Sequence, residues 1–287
     1  MIKAQPLQLA TSFRAQLEQR WQRGNFVCVG LDPEYERLPV SVKEGRTPEE
    51  ALYFFAREII DATHDLACAY KPNSAFYEAL GVAGMRALER IVAYCKEHYP
   101  EIPVILDAKR ADIGNTNHGY ITAAFDLMHV DAITVHPYLG KEALTPFLNR
   151  KDKGVIVLAK TSNPGSGELQ NLLVGEAQEP LYLLVARNVA QHWNEHGNCA
   201  LVVGATYPEE LRRVREVVGD VPLLIPGIGA QGGDVAATVQ AGKDSRGWGM
   251  IINSSRGIIY ASSGADFAQA ARKATEALHL EINSHRA

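Results

Sequence analysis

The sequence has few cysteines, and no two of them are neighbours. Cys28, Cys68, Cys95 and Cys199 lie too far apart for a metal knuckle or a redox pair. Cys28, Cys68 and Cys199 fall in apolar, strand-like runs, where a free thiol behaves as a small hydrophobe. That usage points to a reducing, cytoplasmic setting. Basic excess is also missing: a formal net charge of -4 leaves no footprint for nucleic acid. No apolar run exceeds about ten residues, well short of a membrane span. Nor is there a Pro/Gly/Ser-rich linker, a low-complexity tract or a short repeat to divide the 287 residues. The N-terminal stretch has no secretory apolar core. Its Leu7, Leu17 and Trp21 predict an amphipathic helix at about 7–23 that packs on the rest of the chain.

What the sequence does contain is a regular alternation. Eight short β-rich runs recur: FVCVGLD (26–32), ACAYKPN (67–73), VILDAK (104–109), DAITVHP (131–137), GVIVLAKTS (154–162), CALVVGAT (199–206), VPLLIPGIG (221–229) and GMIINSSR (249–256). Helix signals lie between them. Thr47, Pro48 and Glu50 form a capping-box start, and the stretch 179–198 predicts a helix closed at Gly197. Strands alternating with helices imply a parallel sheet covered by helices, and nearly continuous apolar strands imply burial on both faces. Eight units in this length predict a single-domain α/β (β/α)₈ TIM barrel over 1–287, with an open doubly wound sheet as the rival. The longest loops are expected at 32–46, 163–179 and 229–248. All follow strands, on the face where barrel sites are built.

Charge collects at those strand ends. In VILDAKRAD, Asp107 and Lys109 alternate onto one side of the strand and should face the barrel interior. Leu106 and Ala108 should face the helices, with Arg110 a rim charge and Asp112 in the loop. Asp32, Lys71, Lys160 and Ser162 end other runs. Several such groups at one barrel mouth exceed what solvation explains. Opposite charges ~4 Å apart interact by roughly 4 kcal/mol at an effective dielectric near 20, and such a fixed field stabilises developing charge.

The run PGIGAQGGD (226–234) holds Gly227, Gly229 and Gly232 at GxGxxG spacing. A dinucleotide fingerprint should open a βαβ unit, whereas these glycines follow the penultimate run. A phosphate grip fits better. Backbone N–H groups beside the glycines, the Gln231 amide and a bidentate Arg256 would supply the donors. HWNEH (192–196) matches an H-x-x-E-H zinc pattern, but it closes a helix and lacks a third ligand downstream. NPGSGE (163–168) lacks the ending of a P-loop and reads as a mobile loop over the site.

These residues resemble the orotidine 5′-phosphate decarboxylase family. The signature run Asp107-Ala108-Lys109-Arg110-Ala111-Asp112-Ile113 matches in full, and GLDP, AYKPNSAFYE, TSNPGSGELQ, PGIGAQGGD and NSSRGIIYA follow in the expected order. The resemblance implies metal-independent decarboxylation of orotidine 5′-phosphate to uridine 5′-phosphate, without a cofactor. It implies Lys109 as proton donor and Asp107 beside the substrate carboxylate. Asp32 and Lys71 would lie on the ribose side, Ser162 on the pyrimidine amide, and Gln231 and Arg256 on the phosphate. It further implies a cytoplasmic homodimer in which Asp112, Ile113 and Thr116 enter the neighbouring subunit's site. One alternative is the superfamily's magnesium-dependent decarboxylase of a phosphorylated keto-sugar acid. It needs an acidic metal ligand where Lys71 stands, and an ammonium cannot ligate magnesium. A Schiff-base aldolase using Lys160 or Lys71, and a non-catalytic phosphate-sensing barrel, are the other rivals.

Overall fold

Each of the eight apolar runs becomes one strand of a parallel sheet. The computed structural model describes residues 12–228 and 232–286. Its strands are β1 (Val27–Gly30), β2 (Ala67–Lys71), β3 (Ile105–Arg110), β4 (Ala132–Val135), β5 (Gly154–Lys160), β6 (Cys199–Val203), β7 (Leu223–Pro226) and β8 (Met250–Ser254). They pair in the order β2-β1-β8-β7-β6-β5-β4-β3, all parallel. The circle closes between β2 and β3 by a different kind of join. Only the isolated bridges Tyr70–Val104 and Asn73–Asp107 connect them. Their backbone bonds are Tyr70 N–H to Pro103 O (3.0 Å) and Asp107 N–H to Pro72 O (2.9 Å). Strands β1, β2, β4, β6 and β8 are buried along their whole length, as barrel strands roofed by helices must be.

An N-terminal helix, α1 (Phe13–Gln22), precedes the barrel. One principal helix follows each strand: α2 (Pro48–Thr63), α3 (Gly81–His98), α4 (Gly114–Ile121), α5 (Gly140–Leu148), α6 (Leu181–Asn188), α7 (Pro208–Val218), α8 (Val235–Gly242) and α9 (Phe267–Arg286). The capping box of α2 is present: Thr47 Oγ1 accepts from the Glu50 amide, and Glu50 accepts from the Thr47 amide. Helix α1 plugs the N-terminal end of the barrel. Leu17 and Trp21 are buried, Trp21 Nε1 donates to Met250 O (2.9 Å), and Arg20 Nε donates to Ala67 O (2.8 Å). A Cβ on Gly154 would strike the Phe13 ring at 2.3 Å, so β5 can carry only glycine where α1 crosses it. The helix therefore starts at Phe13, capped by Ser12. Leu7, part of the expected 7–23 span, lies outside the described residues.

Two expectations need correction. The helix after the fifth strand does not run to Gly197. It passes into a π turn at Val189–Trp193 and ends at Asn194, whose amide donates to Val189 O and whose Oδ1 accepts from the Cys199 amide. That side-chain bond ties Asn194 to the start of β6, leaving Gly197, at φ +69°, in the connecting turn. The expected 229–248 loop contains helix α8 in its middle. Asp234 caps it by accepting from the Ala237 amide (2.6 Å), a signal hidden behind the glycines that precede it.

Candidate active site

Strand β3 places its charged residues by breaking its own ladder. Ile105 and Leu106 pair with Ala132 and Ile133, and pairing then skips to Arg110 with Val135. Within the skipped stretch Lys109 adopts φ +47°, a left-handed conformation in which a non-glycine residue is strained. Its amide leaves the ladder and donates to Thr134 Oγ1 (2.9 Å). Asp107 and Lys109 do face the interior together, but a bulge achieves this rather than plain alternation.

A chain of alternating charges results. Asp107 Oδ1 accepts from Lys109 Nζ (2.7 Å) and Thr134 Oγ1 (2.9 Å). Asp107 Oδ2 accepts from Lys71 Nζ (3.0 Å) and Asn73 Nδ2 (3.3 Å). Lys71 Nζ lies 4.0 Å from Asp32 Oδ2. Asp32 in turn accepts from Ser255 Oγ (2.6 Å) and the Asn73 amide (2.9 Å). Lys71 and Asp107 are buried, whereas the Lys109 side chain is 48% exposed. The network is thus anchored in the barrel and presents one ammonium to whatever occupies the cavity.

The electrostatics follow. Burial alone would push Asp107 up, but the ammonium groups of Lys71 and Lys109 overcome it and hold the carboxyl well below its ordinary range. Burial alone would pull Lys71 down, but Asp32 and Asp107 overcome it and raise the ammonium above the usual lysine range. A depressed acid stabilises the fold fully above its unfolded pKa and loses that contribution as pH falls through the folded value. A raised base does so fully below its unfolded pKa and loses it as pH rises through the folded value. The cluster's contribution to stability is therefore expected to stay flat between about pH 5 and pH 9 and to fade outside that window. Urea unfolding of the wild type and Asp107→Asn across pH checks this: their difference should be constant inside the window and shrink in acid.

The charges sit in a cavity of about 590 Å³ at the C-terminal ends of the strands. Leu158, Val202 and Leu224 form an apolar side, and Thr161, Ser162 and Asn163 form the wall after β5. Gly227, Ile228 and Arg256 line the end beyond β7 and β8. Gly227 (φ +108°) and Gly232 (φ +82°) take conformations suited to glycine, and a Cβ on Gly233 would meet Gly227 O at 2.7 Å. Arg256 makes no ion pair among the described residues. Gly229 and Gln231 lie outside the described residues.

The structure therefore gathers Asp32, Lys71, Asp107, Lys109, Ser162 and Arg256 around one cavity. It does not bring Asp112, Ile113 or Thr116 into their own chain's cavity. These lie at the start of α4, with Ile113 60% exposed. Arg110 is a rim charge, paired with Glu78 (2.5 Å) and lying over Tyr120. Lys160 is buried beside Ser166 and Tyr207 and does not line the cavity. Of the zinc-like HWNEH run, His192 and Trp193 close the π turn, and Asn194, Glu195 and His196 lie beyond it. No three His, Cys, Asp or Glu side chains cluster among the described residues.

Sequence reasoning missed Asn73, Thr134 and Ser255. Asn73 was visible as the polar residue two positions beyond Lys71. Ser255 stands beside Arg256 in the eighth run, with no signal of its own. Thr134 was hidden, since threonine is an ordinary strand residue. Gly30 has a role no periodicity reveals: a Cβ there would lie 1.8 Å from Ser255 Oγ. Gly30→Ala should displace Ser255 from Asp32, destabilise the fold by about 1–3 kcal/mol, and weaken ligand binding. Urea unfolding and a titration with uridine 5′-phosphate check it.

Comparison with known proteins agrees with this geometry. The model of the Orotidine 5′-phosphate decarboxylase / HUMPS family matches residues 25–274. Orotidine 5′-phosphate decarboxylase of Cellvibrio japonicus is 50% identical over 277 residues, covering 96% of this chain and 100% of that protein. The structure of Leishmania donovani OMP decarboxylase superposes with a TM-score of 0.82 at 40% identity, covering 96% of this chain and 99% of that one. The structure of Leishmania donovani UMP synthase gives 0.84 at 42% identity, and there the match spans 96% of this chain but 57% of the synthase. The chain belongs to the orotidine 5′-phosphate decarboxylase / HUMPS family.

Proposed function

We propose that the chain decarboxylates orotidine 5′-phosphate to uridine 5′-phosphate and carbon dioxide, the last step of UMP synthesis, with Lys109 as the proton donor. The observation that carries this is the Asp32–Lys71–Asp107–Lys109 array, whose one accessible ammonium faces a cavity that is also lined by Arg256, an arginine without an ion pair among the described residues. In the reaction the bond from C6 to the carboxylate breaks, carbon dioxide leaves, and the electron pair stays on C6. The Lys109 ammonium stabilises that pair and then gives C6 its proton. Solvent restores the proton to Lys109. Asp107, fixed as an anion between two lysines, stands against the substrate carboxylate and disfavours the bound ground state relative to the carbanion. Lys71 keeps Asp107 charged and oriented. Asp32 and Lys71 take the ribose side, Ser162 the pyrimidine amide, and Arg256 with Gln231 the phosphate. Phosphate binding energy, remote from C6, drives closure and orientation.

The lysine rivals fare worse. A Schiff base needs a neutral amine; Lys71 is held protonated, and Lys160 does not line the cavity. Magnesium chemistry would need an acid in place of Lys71. Asp112, Ile113 and Thr116 do not line their own cavity, and Tyr138 and Leu139 are exposed after β4. This arrangement supports a homodimer that shares its sites. All four cysteines are free and buried, and no helix among the described residues is long and apolar enough to cross a membrane. Both features suit an enzyme of the cytoplasm. The test is ultraviolet-monitored turnover of orotidine 5′-phosphate by the purified chain in EDTA. Conversion to uridine 5′-phosphate is expected. An intact, folded protein that leaves the substrate unchanged overturns the reading.

A further inference from the structure

Among the described residues two lysines are buried, and only one is ion-paired. Lys71 lies between Asp107 and Asp32. Lys160, at the end of β5 and 1% exposed, makes no ion pair among the described residues. Its Nζ donates to Ser166 Oγ (2.7 Å) and rests 4.7 Å from the centre of the Tyr207 ring. Burial pulls this ammonium below the usual lysine range. Glu210 acts on it only from beyond ion-pair distance; a buried charge so weakly compensated is expensive, and a well-packed apolar side chain of similar length is often neutral or stabilising in its place. The decarboxylation scheme above gives Lys160 nothing to do.

Its two partners show what it holds. Ser166 belongs to the segment after β5, and Tyr207 to the segment after β6. Between Lys160 and Ser166 run Thr161, Ser162 and Asn163, the wall of the cavity. The inner part of that wall is pinned separately. Thr206 Oγ1 donates to Ser162 O (3.3 Å), and Gly204 admits Ser162 so closely that a Cβ there would lie 2.8 Å from Ser162 Cα. Gln170 closes the segment further out, accepting from the Thr161 amide (2.9 Å) and donating to Thr161 Oγ1 (2.8 Å). We infer that Lys160 is a positioning residue: gripping Ser166 against Tyr207, it fixes the 161–166 wall that receives the pyrimidine. The inference rests on the proposed decarboxylase reading only for the identity of that ligand.

The test pairs Lys160→Met with Ser166→Ala in the full-length protein. Lys160→Met should keep or raise the thermal midpoint while raising KM for orotidine 5′-phosphate about tenfold, with a smaller change in kcat. Ser166→Ala should raise KM in the same way. The double variant should be no worse than Lys160→Met alone, since one tether is broken once. In the ligand-free protein, amides of 161–172 should exchange hydrogen about tenfold faster in either variant. If Lys160→Met does not fold, Ser166→Ala carries both readouts. Unchanged exchange with unchanged KM overturns the inference, as do strictly additive effects in the double variant. If the wild type fails to turn over orotidine 5′-phosphate, the decarboxylase reading falls and the exchange data alone decide the tether.

Discussion

With Lys109 replaced by alanine, kcat for orotidine 5′-phosphate is expected to fall by at least about 10⁴-fold, because the proposed proton donor and the charge proposed to face C6 would vanish together. Binding of uridine 5′-phosphate should change far less, since Arg256 and the loop after β7 still line the cavity. The fold should tolerate the change. Lys109 is the most exposed member of the charge chain, and Asp107 keeps Lys71, Asn73 and Thr134 as donors. Single-turnover kinetics with a parallel urea titration separate the two effects. A variant that keeps more than about a tenth of wild-type kcat removes Lys109 as the proton donor.

The second large effect is a recovery. Asp112→Ala and Lys109→Ala chains should each be nearly inactive alone. Mixed in equal amounts under conditions that allow subunit exchange, they should regain about a quarter of wild-type activity. Half of the dimers would then be hybrids, each with one of its two sites intact. The placement of Asp112 at the start of α4, outside its own cavity, motivates this. Demonstrated exchange without recovery removes the shared site.

The barrel was legible because burial on both faces leaves a plain mark, eight apolar runs at regular spacing, and each run became a strand. The charged strand ends were legible for the opposite reason: Asp32, Lys71, Asp107 and Lys109 interrupt runs that otherwise admit only apolar residues. What escaped notice depends on backbone detail or on distance in the chain. The bulge at Lys109 leaves no composition signal. Thr134 is indistinguishable from a strand filler, and Gly30 is explained only by Ser255, which arrives 225 positions later. Asp234 was read as part of a glycine loop because capping residues and turn residues come from the same short list.

Seven of the barrel's joins are strand ladders, three of them interrupted by a register shift, and the eighth, between β2 and β3, is little more than a clasp. Lys71 and Asn73 on one side and Asp107 on the other fasten it, and these are members of the charge chain. Closure of the cylinder and the fixing of Asp107 as an anion are therefore one mechanical part. Position 107 cannot be re-optimised for a new reaction without also re-engineering how the cylinder stays shut.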